Sequence, residues 1–237
     1  MEITIAYLYP DLLNLYGDKG NLLTLKRRGE SRGIDVTVKE YQLGDIANFD
    51  KTDILYLGGV TDRNQELSLQ AAFKMKDSIT DYAENDGVIL AVCGGYEMLG
   101  ANLAASGMEG LKLLDIEAKK GKKRLIGNII TQSETLGFDI VGFENHIGIM
   151  YIKTNTHLVK VIYGNGNTDK KDVEGVIYKN VIGTYIHGPI LPKNPSLADY
   201  IIKKALERKY GEINLADIND DWENKAHSYI MQKYMNK

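Results

Sequence analysis

Cys93 is the only cysteine of the chain. It stands at the end of an apolar run, Val88-Ile89-Leu90-Ala91-Val92, immediately before Gly94-Gly95-Tyr96-Glu97. A buried strand that runs into a nucleophile, two glycines and a helix is the layout of a nucleophile elbow, with a thiol in place of serine. The free N–H groups and positive dipole end of the following helix would favour a thiolate. The two glycines permit the sharp turn, and the Gly94 N–H is available to an oxyanion. The alternative is an inert cysteine packed as a small hydrophobe.

A thiolate nucleophile works with a base, ordinarily histidine, and the chain has four. His157 and His227 lie in polar surroundings and read as surface residues. His146 follows Phe143-Glu144-Asn145 and is expected in a turn. His187 closes the apolar run Val181–Ile186 and precedes Gly188-Pro189. Parallel sheets gather their active groups at the carboxyl ends of their strands. Cys93 and His187 are both expected at such ends, with Gly58-Gly59 at a third; a core or capping role is the alternative for His187. Lys119, Lys120, Lys122 and Lys123 read as a solvated loop between elements. Arg124 opens a strand and could present a fixed guanidinium to a carboxylate.

The elements that must position these groups alternate in the first half. Strands are expected at Ile3–Leu8, Ile34–Tyr41, Ile54–Leu57 and Val88–Val92. A helix should run to about Arg32, and a long one from about Arg63 to Asn85. The near absence of polar residues in the fourth strand predicts a parallel sheet covered by helices on both faces. The second half offers short strands at Arg124–Thr131, Phe138–Phe143, Leu158–Tyr163, Gly175–Tyr178 and Val181–Ile186. A helix over 197–210 follows, capped by Ser196, and then an amphipathic stretch around Trp222 that is expected to pack on its own domain. Gly164-Asn165-Gly166-Asn167 is a hairpin turn, not a phosphate loop. The expected fold is one α/β domain over residues 1–237, a mostly parallel sheet flanked by helices.

Composition narrows the function classes. With 29 basic against 32 acidic residues and a net charge of -3, the 237-residue chain lacks the basic excess of a dedicated nucleic-acid binder. One cysteine makes no internal disulfide and no thiolate cage for zinc or iron–sulfur, so no metal site is expected. No apolar run approaches the ~20 residues that span a bilayer. The N-terminus has no basic stretch of a signal peptide. A soluble, cytoplasmic protein with no membrane insertion is expected.

Cys93-Gly94-Gly95-Tyr96 and Gly183-Thr184-Tyr185-Ile186-His187-Gly188-Pro189 together resemble the class I glutamine amidotransferases, of flavodoxin-like fold. The Gly-Pro after the histidine is similar to the cobyric-acid-synthase-like branch. Tyr16-Gly17-Asp18-Lys19-Gly20-Asn21, Gly142-Phe143-Glu144-Asn145-His146 and Leu191-Pro192-Lys193-Asn194-Pro195 resemble its GatD group, the glutaminase subunits of lipid II isoglutaminyl synthases. The resemblance implies that Cys93 attacks the side-chain amide of L-glutamine, that His187 is its base, and that Gly59 and Gly94 supply the oxyanion hole. It also implies that Arg124 lies near the glutamine. The ammonia would pass to a Mur-ligase-like partner, MurT, in a hetero-oligomer. ATP and magnesium would sit on that ligase and no cofactor on this chain. The acceptor would be the D-glutamate of lipid II, which is membrane-anchored.

Four departures stand out. Many class I members carry an acid two residues after the histidine, where this chain has Pro189, so the third triad member is unassigned. A carboxylate from the partner would fill the gap and leave the isolated chain a poor glutaminase. Position 97 is Glu where the group usually has Gln, which places a carboxyl beside the nucleophile. The loop Leu57–Gln65 differs at Val60, Thr61 and Asn64. Ile147-Gly148-Ile149-Met150 replaces the usual Gly-Gly-Arg-Thr. Alternative readings are a glutaminase for a cobyrinate-type ligase, a catalytically silent glutamine-binding or scaffold subunit, or a cysteine hydrolase of the DJ-1 type.

Overall fold

A computed structural model describes residues 1–235. The first half alternates as β1 (Glu2–Leu8), α1 (Lys19–Glu30), β2 (Asp35–Tyr41), β3 (Ile54–Leu57), α2 (Asp62–Ala72), α3 (Lys76–Glu84), β4 (Val88–Val92) and α4 (Gly94–Met98). The second half contains β5 (Ile116–Ser133), β6 (Phe138–Ile152), β7 (Thr156–Tyr163), β8 (Val173–Tyr178), β9 (Val181–Thr184), β10 (Ile186–His187), α5 (Pro195–Tyr210) and α6 (Asp221–Met235). All ten strands join one sheet, in the order β10-β6-β5-β7-β8-β9-β4-β3-β1-β2.

Five strands, β2-β1-β3-β4-β9, are parallel, and the remainder pair antiparallel. The order of the parallel half is that of flavodoxin-like sheets, whose ligands bind at the carboxyl edge where the strand order reverses. Every residue of β3 and β4 is buried, as strands covered on both faces must be. The core continues under α5 through Leu197, Ala198, Ile201, Ile202, Ala205 and Leu206.

Several elements differ from their sequence expectation for identifiable reasons. The helix expected from Arg63 to Asn85 is broken by a 3-10 turn at Phe73–Met75. The break rotates the apolar face, so Leu67 is exposed while Leu69, Ala72, Met75 and Ile79 are buried. The short strands at 124–131 and 138–143 are parts of one long antiparallel pair, β5 and β6. The lysine run therefore lies inside β5, at a register shift between Lys120 and Leu125, and not between elements. His146 sits in β6, where Glu144, His146 and Gly148 alternate inward. The last helix over the core starts at Pro195 after Asn194, so Ser196 is not its cap. Asn194 itself accepts from Val141 N at 2.9 Å, and donates to Val141 O at 2.8 Å and Ile190 O at 2.7 Å. The C-terminal stretch does form α6 and lies on its own domain: the Tyr163 and Tyr234 rings stand 5.0 Å apart, Asn128 donates to Tyr234 OH at 2.8 Å, and His227 Nδ1 lies 2.9 Å from the Lys193 carbonyl. The contact is shallow, since the helix buries no residue and leaves Trp222 79% exposed.

Arg28 ties α1 to the C-terminal third. Its guanidinium donates to both oxygens of Asp199, each at 2.7 Å, and to Asp220 at 2.5 and 2.8 Å. Arg32 adds 2.7 Å to Asp199 and 2.6 Å to the Ala216 carbonyl. Planar two-point pairing of this kind is specific to arginine, and breaking a buried pair leaves charge uncompensated. Arg28→Ala is expected to cost roughly 2–4 kcal/mol, discounted for the partial exposure of both aspartates. It should also open the segment before α6 to protease. Chemical denaturation and limited proteolysis read both effects, and an unchanged midpoint would refute this role.

Candidate active site

Cys93 takes φ 51 and ψ -110 between β4 and α4. A non-glycine residue in that region stores about 1–3 kcal/mol and persists only where its surroundings over-determine it. Here they do: Cys93 N donates to Thr184 O at 2.7 Å, and its carbonyl accepts from Glu97 N at 3.0 Å. Gly95 N reaches Gly58 O at 3.2 Å, and a Cβ on Gly95 would stand 2.6 Å from the Leu57 carbonyl oxygen. The pair of glycines is thus required by backbone approach to the end of β3.

A cavity of about 260 Å³ opens over the thiol, lined by Tyr16, Val60, Gln65, Cys93, Gly94, Glu97, Arg124 and His146 among others. Among the described residues the amides of Val60 and Gly94 have no acceptor, so both are available to an oxyanion. Gly59, expected to donate there, instead gives its N–H to Asp18 Oδ2 at 2.5 Å. Arg124 does line the cavity; its Nη1 donates to Asn145 Oδ1 at 3.1 Å and the head stays exposed.

His187 is buried on β10, at the turn that follows β9. Buried Glu174 fixes that turn by accepting from Thr184 Oγ1 at 2.8 Å and Tyr185 N at 2.6 Å. Burial opposes a charge on His187, but the negative charge of Cys93 and then of Asp18 outweighs it, and its pKa is pushed up to about 10. The Tyr16 ring meets the imidazole edge-on at 5.2 Å. Tyr16 is itself left-handed, φ 57, in the loop that precedes α1. Among the described residues, no group of three or more His, Cys, Asp or Glu side chains could hold a metal ion.

Three pocket groups escaped the sequence reading. Asp18 Oδ1 lies 3.7 Å from His187 Nδ1. Gly20 packs on the Pro189 ring, where a Cβ would collide, and no pattern along the chain signals that contact. Gln65 donates to Gly94 O at 2.9 Å and Glu97 Oε2 at 3.1 Å. His146 stacks flat on Tyr185, 4.0 Å between centroids. Its Nδ1 lies 2.7 Å from the Gly148 carbonyl, which can only accept, so Nδ1 carries the proton.

Glu97 is enclosed by donors. Besides Gln65, it accepts from Ala104 N at 3.0 Å and from Tyr185 OH at 2.8 Å. Burial raises its pKa against the pull of those hydrogen bonds. A carboxyl whose folded pKa is raised loses stability as pH climbs above its unfolded value. Replacement by the neutral isostere Glu97→Gln should therefore gain on the wild type as pH rises from about 4 to about 7. Melting curves across that range test this, and a constant offset between the two proteins would refute it.

The residues 4–195 match the CobB/CobQ-like glutamine amidotransferase domain. The chain is 39% identical over 235 residues to the Staphylococcus aureus subunit GatD of lipid II isoglutaminyl synthase (glutamine-hydrolyzing), covering 98% of this chain and 96% of that one. Against the Streptococcus pneumoniae GatD subunit it is 41% identical, covering 89% and 83%. A probable cobyric acid synthase of Methanococcus maripaludis is 32% identical over 71% of this chain but only 36% of its own length. The fold matches a crystal structure of a glutamine amidotransferase at a TM-score of 0.57 and 14% identity, covering 84% of this chain and 98% of that one. It also matches the glutaminase domain of Trypanosoma brucei CTPS with bound acivicin at a TM-score of 0.55 and 9% identity, covering 90% and 96%. Matched over most of its length by the domain and nearly end to end by the subunits, the chain belongs to the CobB/CobQ-like glutamine amidotransferases and, within them, to the GatD group.

Proposed function

We propose that this chain is the glutaminase subunit of a lipid II amidating enzyme and releases ammonia from L-glutamine through a thioester on Cys93. The observation that carries the reading is the strained Cys93 elbow at the floor of an open cavity, with a buried, proton-holding His187 beside the thiol. The Cys93 sulfur attacks the side-chain carbonyl carbon of glutamine, and the carbonyl oxygen gathers negative charge. The Val60 and Gly94 amides stabilise that oxyanion. As the tetrahedral adduct collapses, His187 gives its proton to the departing nitrogen and ammonia leaves. The resulting thioester is opened by water, whose proton His187 takes, and glutamate is released with the thiolate restored.

Arg124 binds the α-carboxylate of glutamine in this reading, reaching from the rim of the cavity with its guanidinium. Ammonia passes to a Mur-ligase-like partner of the MurT type, which holds ATP and magnesium and activates the D-glutamate of the stem peptide. The near end-to-end match to separate GatD subunits favours this partner over a fused cobyrinate ligase, of which the chain spans about a third. No helix among the described residues is long and apolar enough to cross a membrane. In this reading the lipid-linked acceptor is met by the ligase.

Glutamate release by the chain together with its ligase is expected for the wild type and absent for Cys93→Ala. Arg124→Ala should raise KM about 10- to 100-fold with kcat little changed, because it removes binding common to ground and transition states. Turnover that survives in Cys93→Ala would refute the thioester route. No turnover in the assembled wild-type complex would favour the silent-subunit reading.

A further inference from the structure

Tyr16 is a bulky residue in a backbone region that disfavours one. Its φ is 57 and its ψ 26, and Gly17 follows at φ 76. Glycine takes the left-handed region at little cost, whereas a tyrosine there is an outlier that its surroundings must hold in place. Burial does not account for the strain, because the residue is 47% exposed. What the conformation achieves is contact with His187. The two rings meet edge-on, with centroids 5.2 Å apart and planes at 85°. The same tyrosine lines the cavity over Cys93.

The imidazole needs a wall of this kind. His187 is buried, and neither of its ring nitrogens has a hydrogen-bond partner among the described residues. The last torsion of a histidine side chain has a broad minimum unless its neighbours restrict it. The backbone of Gly59 is one restriction: a Cβ there would stand 2.8 Å from His187 Cε1. The Tyr16 ring is the other. The two are joined, since Leu15 N donates to Gly59 O at 2.9 Å and Asp18 Oδ2 accepts from Gly59 N at 2.5 Å. Hydrogen bonds on both flanks of Tyr16 therefore fix its loop to the loop after β3.

Resting on the glutaminase reading above, we propose that Tyr16 is a positioning residue for His187: its ring is the outer wall that fixes the imidazole plane beside the thiol, and its left-handed backbone is the strain that puts the ring there. The role is steric and independent of which carboxylate faces the imidazole. A side chain that projected elsewhere would leave the imidazole to turn within its site. The proton that must reach the departing nitrogen would then be offered along a wider range of directions, and attack geometry is sensitive to such misplacement.

The test uses the full chain, with its ligase for turnover and alone for NMR. Tyr16→Gly removes the ring and relieves the backbone at once. It is expected to melt no lower than the wild type while kcat falls about 10-fold or more and KM changes little. A residue kept only for stability would show the reverse. Tyr16→Phe, which keeps the ring, should retain most of the rate. A Tyr16→Gly kcat within about threefold of wild type would overturn the proposal. So would a loss that disappears when the ligase is raised to saturation, which would assign the ring to docking.

NMR of the wild-type chain needs no turnover. Nuclear Overhauser contacts between the Tyr16 ring and the His187 ring protons are expected, and their absence would overturn the proposal even where the complex releases glutamate. Those contacts in a chain whose complex releases none would fault the glutaminase reading and leave the wall standing.

Discussion

The site depends on one close backbone contact, the approach of Gly95 to the carbonyls of Leu57 and Gly58. Side by side in a parallel sheet, β3 and β4 would diverge into separate loops. The missing side chain at Gly95 lets α4 begin directly against the end of β3. That sets Gly94 directly against Val60, where a Cβ would collide with the Val60 side chain, and Cys93 takes its positive-φ conformation at the junction. The strain is offset by two backbone hydrogen bonds, one across to β9 and one along α4. A Cβ at position 95 would push the two loops apart.

Around that contact, the polar residues of the recognisable motifs serve mainly as braces. Asp18 grips the Gly59 amide, Asn21 the Leu191 amide, and Asn194 the backbone of Val141 and Ile190. Each is a buried side chain that satisfies main-chain groups in loops that no ladder reaches, the condition under which a buried polar residue repays its desolvation. The braces run between segments distant in the chain and tie the loops at the carboxyl edge to one another, the fixed placement that an attack geometry demands.

The substitution of Glu for the usual Gln at position 97 is absorbed by the same logic. Both oxygens are occupied by donors, and the Tyr185 phenol links them to the His146 ring. Burial favours the neutral carboxyl while the donors favour the charged one, so the group is tuned between them. The feature that looked in sequence like an uncompensated charge beside the nucleophile is one node of a satisfied network. The face of α6 that carries Trp222 is exposed, because the helix rests on the domain only through residues such as His227 and Tyr234.

Local chemistry was legible in the sequence where it depends on neighbours in the chain. The apolar run into Cys93-Gly94-Gly95 specifies the elbow, because strand, turn and helix are contiguous there. The alternation of strands and helices specifies the parallel half of the sheet. The placement of His187 at its carboxyl edge follows from that. Tertiary structure alone decided the rest. Asp18 meets His187 only because Gly20 packs on Pro189, a contact between segments far apart in sequence. His146 turns inward because β5 and β6 pair far beyond the runs whose composition marks them as strands. The Gly59 amide is claimed by Asp18, while the Val60 amide next to it finds no acceptor among the described residues. Each of these outcomes is a competition for one hydrogen bond or one volume between groups brought together by the fold, and spacing along a chain carries no record of the competitors.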